Sequence, residues 1–113
     1  MAKVFTARQI VNAMKRNGYK KVKGTFVTYD KNHNAIGGCV YGQAGLNLGV
    51  SGSTLSGAFD KFLGLVETAV GFTRPKPIRL NDNSDLTVPQ IGTLVENWLV
   101  QHDVNLDRSR IQV

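Results

Sequence analysis

Residues 37–49 have the sequence GGCVYGQAGLNLG, and this stretch of small residues decides the fold. We predict a helix over about 39–47 that ends at Gly49, because glycine accommodates the left-handed conformation at a helix end. Gly42 and Gly45 each cost about 1 kcal/mol relative to alanine inside a helix. Such a cost is usually accepted where another backbone passes close by. The helix is therefore expected to be central and nearly buried.

Two further helices begin with a capping box, in which a threonine and a glutamine three residues later satisfy each other's free backbone N–H groups. The pairs are Thr6 with Gln9 and Thr87 with Gln90. A fourth helix has large apolar residues at helical spacing and begins at a Ser-Gly-Ser break. In chain order the predicted helices cover 7–17 (stopped by Asn17-Gly18), about 39–47, from Ser53 as N-cap to about Val70, and from Thr87 as N-cap to about Gln101.

The segments between the helices predict one small hairpin. Residues 22–29 are rich in β-branched and aromatic side chains, 30–34 carry turn residues, and 35–36 supply a short return strand. We expect an extended connector over 74–77 and a polar turn over 81–85.

The predicted architecture follows from these elements. It is an α+β domain with about four helices packed around a small β-hairpin. The domain spans 1–101, and 102–113 form a C-terminal tail that is extended or frayed.

Composition limits the classes of function. The chain has 113 residues, 42% of them hydrophobic, which suits a single globular domain. Cys39 is the only cysteine, so an internal disulfide and a four-cysteine zinc site are excluded, and a reducing cytoplasm is the expected location. We find no signal-peptide pattern and no run of about 20 apolar residues that would span a membrane. No motif indicates a cofactor or a metal.

Positive charge is concentrated at the start of the chain. Residues 1–36 contain eight basic residues and one acid, a net charge of about +7, and the remainder carries six basic and seven acidic residues, about −1. Such a distribution favours an acidic partner, either a protein surface or nucleic acid, although a solvated basic rim is as good an interpretation. The candidate binding residues are Lys15, Arg16, Lys20, Lys21 and Lys23.

Cys39 is also a candidate nucleophile. A thiol at a helix N-terminus has a lowered pKa, and His33 and Asp82 supply the other members of a Cys-His-Asp set. The alternative is a small buried thiol that only packs, which is the commoner fate of a single cysteine. The sequence favours packing because His33 belongs to a predicted hairpin turn and no oxyanion element is evident.

Three short stretches resemble a family of actinobacterial and actinophage proteins that is classed as a domain of unknown function. They are GCVYGQA at 38–44, LND at 80–82 and TVPQI at 87–91, and the resemblance spans about 7–100. The chain differs from the family in Leu80, where an aromatic residue often precedes Asn-Asp, and in its basic N-terminal third. The resemblance implies an α+β domain of phage or mobile-element origin and no particular activity.

Three function hypotheses follow. The leading one is a small, non-enzymatic, cytoplasmic accessory protein, in the host cytoplasm if a phage encodes it, that engages an acidic protein or nucleic acid through its basic face. The second is a hydrolase or transferase that depends on Cys39. The third is a structural subunit whose glycine-rich and apolar surfaces serve assembly.

Overall fold

Five helices and five short strands make up the part of the chain that the structure, a computed structural model, describes: residues 4–16, 19–23, 27–49, 52–71 and 76–112. The helices are α1 (Ala7–Lys15), α2 (Val40–Leu48), α3 (Gly52–Val70), α4 (Pro77–Asn83) and α5 (Val88–Gln101). The strands are β1 (Val4–Thr6), β2 (Lys20–Lys21), β3 (Val27–Tyr29), β4 (Ala35–Gly38) and β5 (Arg110–Gln112). The predicted α+β class is confirmed, with one more helix than the four expected.

Both capping boxes form where the sequence places them. Thr6 Oγ1 accepts from the Gln9 N–H at 3.2 Å, and the Thr6 N–H donates to Gln9 Oε1 at 2.8 Å. The same two bonds join Thr87 and Gln90, at 3.3 and 2.8 Å. Each box satisfies two backbone N–H groups at a helix start, so the predicted starts of α1 and α5 are confirmed.

The other helix ends agree less evenly with prediction. Helix α1 ends at Lys15 because Arg16 is already extended, with φ −71° and ψ 137°, so the predicted end at residue 17 was late. The proposed Asn17-Gly18 stop lies outside the described residues. Helices α2 and α3 end at Gly49 and after Val70, as predicted, and Gly49 and Gly71 have φ of 72° and 61°. Helix α3 begins at Gly52, so Ser53, the predicted N-cap, lies within it.

The core forms where α1 packs against α2 and α5, and α3 closes it. Gly92 allows the α1–α5 approach, since a Cβ atom there would lie 2.9 Å from the Met14 Cβ. Gly42 and Gly45 are buried within α2, as its predicted central position requires. Aromatic packing adds an edge-to-face contact between Phe59 and Phe62 of α3, with ring centroids 6.0 Å apart.

Strand β4 lies at the centre of a three-stranded sheet in the order β2–β4–β3. Strands β3 and β4 form the predicted antiparallel hairpin, whereas the parallel pairing of β2 with β4 was not predicted. The turn between β3 and β4 is held by Asp30, whose Oδ1 accepts from the backbone N–H groups of Asn34 and Asn32. These bonds, that from Asn34 above all, lower the pKa of Asp30. Of the predicted strand 22–29, only 27–29 form β3; 22–23 are not in a strand, and 24–26 lie outside the described residues.

Helix α4 corrects two predictions. Of the connector 74–77 that was expected to be extended, 74–75 lie outside the described residues and Lys76 is extended, with φ −69° and ψ 147°. Pro77 instead begins a helix, a position where its missing N–H leaves no bond unmade. Residues 81–83 were assigned to a polar turn and instead form the last turn of α4. Only 84–85 of that predicted turn lie outside the helix. The run of turn-forming residues was misleading because Asn81 uses its side chain for contacts with other elements.

Residues 102–112, expected to be an extended or frayed tail, contribute to the core. Strand β5 pairs antiparallel with β1, with Val4 opposite Gln112 and Phe5 opposite Ile111. Leu106 and Ile111 are buried. The prediction of an extended or frayed tail was wrong for most of the segment, since only 110–112 form a strand and 102–103 and 106–108 form turns. The burial was not predicted, because it depends on a partner strand about a hundred residues away.

Candidate partner-binding surface

Lys15, one of the five predicted binding residues, is neutralised within the fold. Its Nζ lies 3.0 Å from Glu96 Oε1, and the other oxygen of Glu96 lies 3.0 Å from Arg8 Nη1. Arg8 also approaches Asp107, at 3.2 Å. Lys15 and Arg8 lie on α1 and Glu96 on α5, so these ion pairs join the two helices across the face that Gly92 brings together. Lys15 is therefore a weak candidate for contact with a partner.

Lys21 is likewise committed to the fold. Its Nζ donates to the carbonyl oxygens of Ser84, at 2.7 Å, and Leu86, and it is partly buried. These carbonyls belong to the connection between α4 and α5. Lys21 thus fastens β2 to that connection. No sequence pattern indicated these contacts, because both acceptors are backbone carbonyl oxygens.

The other three predicted residues are exposed. Arg16 donates from Nη1 to the Asn47 carbonyl oxygen at 3.4 Å, and Lys20 and Lys23 project into solvent. Among the described residues, no carboxylate forms an ion pair with any of the three. They lie within eight consecutive residues, which limits their separation to roughly 25 Å even in a fully extended chain. Arg16, Lys20 and Lys23 are called the basic surface below.

A cleft of about 290 Å³ opens between α1 and the C-terminal end of α2, next to the basic surface. Its lining residues are Phe5, Gln9, Asn12, Ala13, Arg16, Asn47 and Leu48. Four of them recur at spacings of three or four along one side of α1. We call this the α1–α2 cleft. Of its lining, only Arg16 was predicted as a site residue, although the helical spacing of Gln9, Asn12 and Arg16 was visible in the sequence.

Cys39 lies at the N-cap of α2, as predicted, but its side chain makes no cap hydrogen bond and is 4% exposed. The capping role belongs to Asn81 of α4, whose Oδ1 accepts from the Val40 N–H at 2.9 Å. The Asn81 amide nitrogen donates to the Val22 carbonyl at 3.1 Å and to Asp82 Oδ1 at 3.0 Å. Asn81 therefore joins α4, α2 and the chain after β2.

The candidate Cys-His-Asp set is not brought together. His33 is exposed in the hairpin turn with φ 62°, and β4 runs between it and Cys39. The four residues of β4, at about 3.3 Å each, put roughly 13 Å of extended chain between the hairpin turn and Cys39, which is too far for a hydrogen bond. The Asp82 carboxylate accepts a hydrogen bond from the Asn81 amide nitrogen, and His33 is not among its hydrogen-bond partners in the described residues. The structure therefore places no general base at the thiol from among these candidates.

Gln43 is a buried polar residue that the sequence analysis did not single out. Its Nε2 donates to the Gly38 carbonyl at 2.9 Å, and its Oε1 has no hydrogen-bond partner among the described residues. The residue is buried close to the start of α2. Its amide orients the chain as β4 leads into the helix.

The described residues contain neither a metal-binding cluster nor a membrane-spanning helix. No group of three His, Cys, Asp or Glu side chains in that part of the chain could hold a metal ion, and none of its helices is long and apolar enough to cross a membrane. No protein-family model, curated protein or solved structure matches the chain. The resemblance to actinobacterial and actinophage proteins stays a prediction, and the function has to be inferred from the surface itself.

Proposed function

We propose that this protein is a non-enzymatic binding protein that engages an acidic protein segment through the basic surface. The supporting observation is that Arg16, Lys20 and Lys23 are exposed with no carboxylate paired to them in the described structure, while Lys15 and Lys21 serve the fold. Unpaired positive charges attract acidic groups at a distance and fix the orientation of a partner on contact.

An acidic protein segment accounts for this surface better than nucleic acid does. Nucleic-acid affinity grows with the number of phosphates neutralised, and two of the five predicted cations already have partners inside the fold. The neighbouring α1–α2 cleft is lined by one arginine together with an aromatic ring, a leucine and three carboxamides. This mixture of apolar and hydrogen-bonding groups around an arginine is typical of protein interfaces.

The two rival functions receive less support. A hydrolase or transferase would need an accessible thiol, and Cys39 is buried and far from His33. A structural subunit that assembles through a glycine-rich surface would need that surface exposed, and Gly42 and Gly45 are buried. The proposal keeps the cytoplasmic location, which a free thiol suits, and the role of a phage accessory protein in the host that the family resemblance implies.

The test uses fluorescence anisotropy with an oligoglutamate peptide and, separately, an oligonucleotide of the same total charge. We expect the peptide to bind more tightly, and its affinity to fall with salt as the attraction is screened. The double variant Lys20→Glu/Lys23→Glu should weaken peptide binding by about tenfold, since two attractions become repulsions.

The matched control is Arg108→Glu/Arg110→Glu, which changes the net charge equally. Both arginines are exposed near β1, at the opposite end of α1 from the basic surface. This control should alter affinity by less than about twofold, because neither arginine belongs to the basic surface or lines the α1–α2 cleft. Equal loss in both double variants, or no peptide binding by the wild type, would contradict the proposal. Tighter binding of the oligonucleotide would replace the protein partner with nucleic acid.

A further inference from the structure

The α1–α2 cleft has the chemistry of a small-ligand site. We propose that it binds a carboxylate group attached to an apolar carbon skeleton, as at the C-terminus of a peptide or in a glutamate side chain. The inference rests on the proposed function, since it names the group of the acidic partner that is held most specifically. The basic surface would attract the partner, and the cleft would select one of its residues.

Arg16 supplies the positive charge at the cleft. Its one hydrogen bond to a described residue, the carbonyl oxygen of Asn47, uses one of five N–H donors and holds the guanidinium at the end of α2. No carboxylate is among the described residues that line the cleft, so the charge there is not neutralised. A guanidinium with free donors binds a carboxylate through two parallel hydrogen bonds.

Gln9 adds a donor whose direction is fixed by the capping box. Its Oε1 accepts from the Thr6 N–H at 2.8 Å, so the oxygen is occupied and the NH₂ group remains as the free end of the amide. The assignment of oxygen and nitrogen is settled here because a backbone N–H can only donate. A free amide donor on the same side of α1 as Arg16 offers a further hydrogen bond to an anion.

Asn47 presents the opposite polarity. Its Nδ2 donates to the Ala13 carbonyl at 2.8 Å, which leaves Oδ1 as an acceptor beside the cleft. A ligand that carries an N–H group near its carboxylate, as a peptide does, binds the Arg16 guanidinium through the carboxylate and donates to Asn47 Oδ1 through the N–H. Inorganic phosphate carries up to two negative charges at neutral pH, and a single guanidinium leaves half of the dianion's charge uncompensated. The cleft therefore favours a carboxylate over a phosphate.

The apolar part of the ligand has a matching surface. Phe5 and Leu48 are half-buried and line the cleft together with Ala13. The volume of about 290 Å³ lies at the lower end of the range for ligand pockets. It suits one amino-acid residue or a small organic acid and excludes a folded element of a partner.

The test is an NMR titration of the isotopically labelled protein with N-acetyl-leucine, which carries a main-chain carboxylate. N-acetyl-leucinamide, the same molecule without the charge, is the matched control ligand. N-acetylglutamate α-amide tests a side-chain carboxylate, and inorganic phosphate tests the competing anion. We expect shifts at the side-chain amides of Gln9 and Asn47 with at least one carboxylate and not with the neutral amide. The ligand that binds more tightly identifies the source of the carboxylate.

Variants at two exposed arginines complete the test. Arg16→Gln should weaken carboxylate binding by about tenfold, as expected for the loss of a charge-assisted bidentate contact. Arg108→Gln makes the same charge change at a residue that does not line the cleft and should leave binding within about twofold. Unchanged melting temperatures would show that both variants are folded. Absence of shifts with both carboxylates, equal shifts with the neutral amide, stronger binding of phosphate, or an unaffected Arg16→Gln would each overturn the inference.

The experiments can reject either proposal without rejecting the other. Loss of oligoglutamate binding in Lys20→Glu/Lys23→Glu, together with no carboxylate binding in the cleft, would leave the proposed function standing without this site. Binding of N-acetyl-leucine in the cleft, together with no oligoglutamate binding, would leave a small-carboxylate site on a protein without the proposed partner.

Discussion

Helices α5 and α2 both need hydrogen-bond acceptors for the free backbone N–H groups at their N-termini. The residues that supply these acceptors lie at different distances along the chain. In α5 the partner is Thr87, three residues from the N–H it accepts. In α2 the N-cap residue, Cys39, makes no cap bond, and Asn81 takes its place from forty-one residues away. A local cap can form before the fold exists, whereas a distant cap forms only with it. Helix α2 therefore depends on tertiary structure to a degree that α5 does not.

The largest expected effect is at the distant cap. Asn81→Ala removes three hydrogen bonds at a fully buried side chain and leaves the Val40 N–H without its acceptor. We expect the free energy of unfolding to fall by about 2–5 kcal/mol, measured by urea denaturation. Asn83→Ala, at an exposed position on the same helix, is the control and should cost less than about 0.5 kcal/mol. Similar losses in the two variants would show that α2 does not depend on Asn81.

The second largest effect is expected at Gly92, where α5 packs closely against α1. In Gly92→Ala the new Cβ would lie 2.9 Å from the Met14 Cβ and 3.2 Å from the Lys15 backbone nitrogen. We expect this crowding between α1 and α5 to destabilise the protein by about 1–3 kcal/mol in the same denaturation measurement.

Gly64→Ala is the matched control for that crowding. A Cβ atom at Gly64, in the exposed part of α3, meets nothing within 4 Å. The variant should gain up to about 1 kcal/mol, because alanine is the better helix former. A gain in both variants would mean that α1 and α5 can separate slightly at no cost.

The smallest effect is expected at the local cap. Thr87→Ala breaks one half of the α5 capping box and should reduce the free energy of unfolding by about 1 kcal/mol. Thermal unfolding followed by circular dichroism measures it, and Thr87→Ser, which keeps a hydroxyl acceptor, should recover most of the loss. A loss as large as that of Asn81→Ala would remove the distinction between the two helix starts.

The same distinction explains which parts of the fold and site were predictable. Thr6, Thr87 and Gly49 act on their own neighbours, so their patterns gave helix positions correct to within one or two residues. Asn81 looked like a turn residue, because nothing beside it in the sequence reveals that its amide faces Val40. Lys21 looked like a surface cation for the same reason, since its acceptors are carbonyl oxygens some sixty residues away.

The candidate site also has one part that could be predicted from local sequence and another that depends on packing between distant segments. Exposure of Lys20 and Lys23 follows from their being lysines in a polar segment, and the sequence placed them on the surface. The α1–α2 cleft needs Asn47 and Leu48 of one helix beside Gln9 of another, and only packing brings them together. Charge was therefore visible in the sequence, whereas the concave surface beside it was not.

The pairing of β1 with β5 has a mechanical consequence. Val4 lies opposite Gln112 and Thr6 opposite Arg110, so the two outermost residues of the ladder are neighbours. A force applied through the segments before Val4 and after Gln112 acts along the inter-strand hydrogen bonds, which run perpendicular to antiparallel strands. The paired residues of the two strands would then separate one pair after another from the outer end. Several inter-strand hydrogen bonds would not have to break at the same time. Beyond that ladder, the Ala7 and Arg8 N–H groups bonded to the Ser109 and Leu106 carbonyls would be the next to open.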